Sequence, residues 1–357
     1  MKQSPFPLVF REQVPLAPYT TLAVGGPARY FVEAAAEAHV IEALEFAQAR
    51  NLPVFVLGGG SNVVVADSGF DGLVIRIALC GAKIKKSGDV LAAAGEEWDP
   101  LVRGCVEHCL AGIECLSGIP GTVGGTPVQN VGAYGQEVSQ VIETVRVLDR
   151  KTQNIDELSN QECGFAYRSS IFNACSPDRY IVLSVRFRLK PGGAAKTDHT
   201  DLSRYFADRG DHPGLAEIRE AVLKIRSGKS MVLLPGDPNC KTAGSFFKNP
   251  LVPPAAAKAA EEVARRAGTL QVSDIMPQYP MPDGTVKLSA AWLIERSGFT
   301  KGYRRGRVGL SSRHTLAIVN CGDATAEEIQ ALMREIQSAV RGLYGVDLVP
   351  EPVFVGY

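Results

Sequence analysis

Ala28–Asn62 reads ARYFVEAAAEAHVIEALEFAQARNLPVFVLGGGSN, and its periodicities set the fold. ARYFVEA has the branched and aromatic content of a strand. AAEAHVIEALEFAQAR repeats its apolar residues at helical spacing, and LPVFVLGGG reads as a buried strand running into a turn. The stretch is therefore a β-α-β unit, and a sheet with packed helices follows from it.

The LGGGSN turn at Leu57–Asn62 leaves backbone N–H groups bare, so a phosphate can approach them. A Rossmann site would place a helix next, with its N-terminus on the pyrophosphate. Here VVVADSGFDGLVIRI follows, which is strand, turn, strand, and the glycine spacing is not that of the dinucleotide fingerprint. A Rossmann site is rejected. A tight turn between two strands is the plainer reading of the motif.

A second loop, SGIPGTVGGTPVQNVGAYG at Ser117–Gly135, holds Gly118, Gly121, Gly124, Gly125, Gly132 and Gly135. Loops of such length in compact domains usually carry function. Thr122, Thr126, Gln129, Asn130 and Tyr134 supply polar contacts and one stacking surface, as a cradle for a diphosphate and an isoalloxazine edge would need. Together the two loops suggest a bound dinucleotide and a redox enzyme.

Around these lie further elements. GLVIRI, DVLAAAG, TVRVLDR and YIVLSVRFRLK read as strands. EWDPLVRGCVEHCLAG reads as a helix with Gly112 as its C-cap. From about His212 the pattern changes. GLAEIREAVLKIR, PAAAKAAEEVARRAG and SAAWLIERSG are helical, and SMVLLPGDPNCKT is an irregular link with Pro235 and Pro238. TLAIVN is a strand. Thr325 and Glu328 form a capping box for a helix to about Arg341, Gly345 follows it, and VDLVPEPVFVGY returns as a strand. The expected division is 1–210, a nucleotide-binding part, and 211–357, a smaller α/β part.

The composition excludes several classes. Lys+Arg and Asp+Glu both number 38, so no bulk charge favours nucleic acid or an anionic membrane. No run approaches the roughly 18 apolar residues of a membrane span, and MKQSPFPLVFREQVPL lacks a signal-type apolar core. The eight scattered cysteines fit a reducing cytoplasm. Cys105, His108, Cys109 and Cys115 have no second ligand pair at metal spacing, so they read as small buried hydrophobes, and no metal is expected.

Three distant residues are chemically loaded: Arg168 in ECGFAYRSSIF, Ser245 in AGSFFKNP and Glu351 in VPEPVFVGY. A cation, a hydroxyl and a carboxylate can stabilise an oxyanion and deliver a proton. Each also has a plain alternative: a structural ion pair for Arg168, a turn or cap hydroxyl for Ser245, an exposed tail acid for Glu351. Pro350 and Pro352 favour a fixed position for the last. Phe246 and Phe247 read as core. Lys301, Arg304, Arg305 and Arg307 form a basic run suited to a diphosphate or simply solvated.

TTLAVGGPA, LGGGSN, the Ser117–Gly135 loop, FAYRSSIF, AGSFFKNP, AWLIERSGFTKG, RHTLAIVN and the glutamate-bearing tail, in this order, resemble the UDP-N-acetylenolpyruvoylglucosamine reductases, or UDP-N-acetylmuramate dehydrogenases. The resemblance spans Tyr19 to Phe354. It implies an α+β chain with a vanillyl-alcohol-oxidase-type FAD-binding fold and a smaller substrate-binding domain. It implies non-covalent FAD, NADPH as co-substrate, and the enolpyruvyl ether of UDP-N-acetylglucosamine as substrate. The product would be UDP-N-acetylmuramate, a peptidoglycan precursor made in the cytoplasm, by a chain expected to act as a monomer. Arg168, Ser245 and Glu351 fall on the catalytic positions. Thr21, Gly58, Gly59, Gly60, Ser61, Asn62, Gly118, Gly121, Thr122, Gly125, Asn130, Gly132 and Tyr134 would lie near FAD. Tyr167, Lys229 and Asn249 would line the substrate pocket. One branch of the family closes that pocket with the tyrosine of a Tyr-Gly-Asp-Leu-like stretch; here DHTDL places His199 there, and SMVLLPGDPNCKT is longer than the compact form. Two rivals remain open: another flavoenzyme of the same fold, such as an alcohol oxidase, and a UDP-sugar-binding protein without turnover.

Overall fold

The computed structural model describes residues 7–207, 212–234, 236–270 and 274–357. The chain divides into two compact units. The first takes residues up to Val14, Pro27–Gly60 and Phe70–Leu233; the second takes Pro15–Gly26, Ser61–Gly69 and Leu234–Tyr357. The expected boundary at 210/211, like Pro235, lies outside the described residues. Two short N-terminal segments belong to the second unit, which a division by sequence order does not provide for.

In the first unit the β-α-β reading holds: strand Pro27–Ala34, helix Glu37–Ala49, strand Val54–Leu57. Both strands run parallel to Phe70–Ile77, which lies between them. Arg11–Pro15, a strand the sequence reading missed, forms the fourth, edge position. A second, antiparallel sheet orders Ile155–Ser159, Ile142–Asp149, Tyr180–Arg188, Asp89–Ala93 and Ala82–Ile84. Val32, Leu73, Ile75, Val145, Val147, Val185 and Phe187 make the core with Trp98 and Val102 of helix Trp98–Glu107. That helix is shorter than expected. It ends before Cys109, which has a φ of 57°, and Gly112 lies beyond it. Cys105 and Cys115 are buried, and burial pushes both thiols up to about 12. His108 and Cys109 are exposed, so the reading of the whole cluster as buried hydrophobes is corrected at both.

In the second unit, helices Pro254–Arg266, Ala290–Arg296 and Ala326–Tyr344 pack around Phe246, Leu288, Leu310 and Ile318. The Thr325–Glu328 capping box is present, and Gly345 is left-handed with φ 66°, as the last turn of the long helix requires. Strand Val63–Val65, which follows the GGGSN turn, pairs in parallel with Val353–Val355. The turn therefore leads from one sheet into another, not through a hairpin. Only Val353–Val355 of the expected C-terminal strand is paired as strand, because Pro350 and Pro352 offer no N–H to a ladder. Among the described residues no helix is long and apolar enough to cross a membrane, and no group of three metal-ligating side chains converges.

Candidate active site

Arg168 sits at the tip of a tight turn in the first unit. Ala166 and Ser169 exchange backbone hydrogen bonds of 3.0 and 3.1 Å, leaving Tyr167 and Arg168 between them. Arg168 has a φ of 53°, a conformation that costs a non-glycine residue roughly 1–2 kcal/mol. Two asparagines hold the turn. Asn173 Nδ2 donates to the Arg168 carbonyl at 3.3 Å, and Asn130 Nδ2 donates to the Ala166 carbonyl at 3.0 Å. Asn130 is buried and also bonds Glu137 and the Ser139 N–H. The turn aims the Arg168 guanidinium along the long glycine loop, where Nη2 donates to the Gly132 carbonyl at 2.8 Å.

The two glycine loops meet within this unit. A Cβ on Gly59 would lie 2.7 Å from the Gly121 Cα, and one on Gly58 would lie 2.9 Å from Thr122 Oγ1. The long loop is rigid in the sense that its backbone is spoken for: Trp98 N–H to Gly121, Val123 N–H to Glu96, Gly124 N–H to Ala94. A Cβ on Gly124 would strike Ala94 at 2.6 Å, whereas one on Gly125 would meet open space.

Helix Leu215–Gly228 clamps the start of that loop with side chains that sequence reading missed. Arg219 forks onto Asp99 at 2.6 and 2.8 Å, and Asp99 also accepts the Gly118 N–H at 2.5 Å. Burial works to raise the Asp99 carboxyl, but Arg219 and the Gly118 N–H outweigh it and hold it below the usual carboxylate range. Arg226 donates to the Gly118 and Met231 carbonyls at 3.2 and 2.7 Å. Its Nε is buried with no hydrogen-bond partner among the described residues, and it lies near the Tyr134 hydroxyl, which burial pushes up to about 12. Arg219 and Arg226 are seven apart, hence on one helix face, and that spacing was the only local signal. Lys229 pairs with Asp201 at 2.7 Å and lies 6.0 Å from the Tyr134 ring. His199 caps the short helix Thr200–Tyr205 and meets Tyr134 edge-on at 5.1 Å. Tyr134, His199 and Lys229 thus form one cluster.

Ser245 and Glu351 lie on neighbouring segments of the second unit. Phe246 N–H donates to the Leu316 carbonyl at 2.8 Å on one side. On the other, Glu351 N–H donates to the Phe246 carbonyl and Lys248 N–H to the Val349 carbonyl, both at 2.9 Å. Phe246 and Phe247 are core, as expected. Thr21 Oγ1 donates to the Thr242 carbonyl at 2.6 Å, and Asn62 Nδ2 to the Glu351 carbonyl at 3.2 Å. Thr21, Ser61 and Asn62 therefore belong to the unit of Ser245, while Gly58–Gly60 belong with the long loop. Asn249 Oδ1 accepts the Ala290 N–H at 3.0 Å, at the start of a helix. Of the basic run, Arg305 and Arg307 pair with Glu335 and Glu328.

These residues fit a flavin nucleotide. Gly59 lets the two loops meet backbone to backbone, Gly125 faces free space, and among the described residues the buried Arg226 Nε has no acceptor.

Residues 28–155 match the model of an FAD binding domain, and residues 237–355 match that of the UDP-N-acetylenolpyruvoylglucosamine reductase C-terminal domain. The chain is 46% identical to the UDP-N-acetylenolpyruvoylglucosamine reductase of Thermobifida fusca, over 97% of this chain and 98% of that one. It is 48% identical to that of Streptomyces avermitilis, over 96% and 94%. The crystal structure of the Thermus caldophilus reductase superposes with a TM-score of 0.66 at 28% identity, covering 97% of this chain and all of that one. The expected order, an FAD-binding domain ahead of a second domain in a chain of mixed helix and strand, is the one found. With identities near one half sustained across almost its full length, the chain belongs to the UDP-N-acetylenolpyruvoylglucosamine reductase family.

Proposed function

We propose that this chain reduces the enolpyruvyl ether of UDP-N-acetylglucosamine to UDP-N-acetylmuramate, a step of peptidoglycan precursor synthesis. It would act as a monomer in the cytoplasm with NADPH as reductant. The observation that carries the reading is the pairing of the Ser245 and Glu351 segments, with the Glu351 N–H on the Phe246 carbonyl. It sets a hydroxyl and a carboxyl on adjacent backbones, as a reaction needing a proton at carbon beside a developing oxyanion requires. Bound FAD would supply the redox chemistry, taking hydride from NADPH and giving it to C3 of the substrate.

The protein's share is electrostatic and protic. Addition at C3 drives electrons toward C2 and the substrate carboxylate, and the enediolate must be met by cations or donors. Arg168, on its strained and doubly braced turn, offers a permanent charge in a fork that matches a carboxylate. Glu351, protonated, would donate to the same oxygens. Ser245 would give the proton to C2; a serine is a weak acid, so it serves only at close range against a strongly basic carbanion. Tyr134, His199 and Lys229 are one cluster in the first unit, which supports a role for Lys229 and His199 at the substrate diphosphate. The family likeness assigns Tyr167 and Asn249 to substrate binding as well. Asn130, Gly58–Gly60, Gly118, Gly121, Thr122, Gly125 and Gly132 would hold FAD.

The test is the visible spectrum of the purified protein followed by stopped flow. Flavin bands should bleach with NADPH and recover with the enolpyruvyl substrate. In Ser245→Ala the bleaching should stay near normal while recovery slows on the order of 10²–10⁴-fold, the contribution of a positioned acid. Equal loss in both halves would remove Ser245 from this role, and a colourless protein would remove the flavin.

A further inference from the structure

We infer that Asn62 is a positioning residue that fixes the Glu351 backbone beside the Ser245 segment, an inference that rests on Glu351 being the second proton donor. The resemblance placed Asn62 near the cofactor; its contacts give it another task. Asn62 touches the tail twice. Its Nδ2 donates to the Glu351 carbonyl at 3.2 Å, and its own carbonyl accepts the Val353 N–H at 2.9 Å. The parallel pairing of Val63–Val65 with Val353–Val355 starts immediately afterwards. The tail is thus gripped from both sides at residue 351, by Phe246 through the N–H and by Asn62 through the carbonyl.

The sequence explains why a side chain is needed. Pro350 and Pro352 flank Glu351 and contribute no N–H, so ahead of Val353 this stretch makes only an isolated antiparallel bridge, Phe247 with Pro350. Pro352 also holds Glu351 extended. The extended Glu351 and the Pro352 ring make this stretch one stiff piece, and the Asn62 amide is bonded to its carbonyl oxygen. Without that bond the stiff piece is left with the Phe246 carbonyl at residue 351 and can shift as a whole, which moves the Glu351 side chain relative to the Ser245 segment. A displacement of about 1 Å at a reacting group can cost 10²-fold in rate.

The experiment measures the two flavin half-reactions in holoenzyme carrying Asn62→Ala, Glu351→Ala and both. Asn62→Ala should hold flavin and take up hydride from NADPH within about twofold of normal, while reoxidation by substrate slows on the order of 10- to 100-fold. In the Glu351→Ala background the same change should slow reoxidation by less than about twofold, because residues acting as a unit are not additive. Asn62→Asp keeps the size and loses the donor; it should behave as the alanine does and serves the comparison if the alanine chain does not fold. Full additivity in the double variant, with Glu351→Ala itself slow, overturns the Asn62 inference alone. Loss of flavin or equal slowing of both halves in Asn62→Asp also overturns it. Normal reoxidation in Glu351→Ala overturns the donor role of Glu351, and with it the inference.

Discussion

Asp99→Asn tests whether the clamp on the glycine loop is electrostatic. The carboxylate accepts two guanidinium bonds from Arg219 and one N–H bond from Gly118. The asparagine keeps the shape and one acceptor but loses the charge. Hydrogen bonds to charged groups contribute about 1.5–3 kcal/mol each when buried. The Asp99 side chain is 33% exposed and that of Arg219 12%, so solvent screening reduces the whole effect to roughly 2 kcal/mol. For a chain of 357 residues, at about 2.1 cal/mol/K of unfolding entropy per residue, that lowers Tm by about 3 °C. The pH dependence has a definite sign. The folded carboxyl is held below its ordinary value, so its stabilisation is complete above the unfolded value of about 3.9 and is lost as pH falls through the folded one. The gap between the wild-type and variant chains should be full at pH 7 and narrow below about pH 4. Other depressed carboxyls, Asp89 and Asp149 among them, are common to both chains and cancel in the difference. Thermal melts followed by far-ultraviolet circular dichroism, from pH 7 to the lowest pH at which both chains fold, measure this. No gap at pH 7, or a gap that stays constant as pH falls, would refute the reasoning.

Two further outcomes are expected. Gly125→Val should leave a folded chain with little flavin, because its side chain enters open space beside the loop, whereas Gly124→Val should lose stability as well, since Ala94 blocks it. The flavin-to-protein absorbance ratio, read beside a melt, separates the two; equal flavin in Gly125→Val and wild type would show that the space is not the cofactor's. Glu351→Gln, which keeps a neutral donor, should retain more substrate-dependent reoxidation than Glu351→Ala, with flavin reduction intact in both; identical rates in the two variants would remove the donor role.

The sequence alone determined what is local. Ala28–Leu57 could be read as β-α-β because apolar spacing reflects which face of each element is buried, and Thr325, Glu328 and Gly345 marked the ends of the long helix because caps satisfy backbone groups within one turn. The candidates for the chemistry were proposed from sequence too, since Arg168, Ser245 and Glu351 each stand in a distinctive motif. Tertiary structure decided the rest. Only folding takes Pro15–Gly26 and Ser61–Gly69 into the second unit, and only it joins Arg219 to Asp99 across 120 positions or Asn62 to Glu351 across 289. It also ended the second helix at Glu107 and left Cys109 exposed where the pattern favoured burial. Periodicity reports that a face is buried, not which distant segment covers it. Hydrogen-bond partners far apart in the chain leave no spacing to read, so the clamp on Gly118 and the brace on Glu351 exist only in the folded molecule.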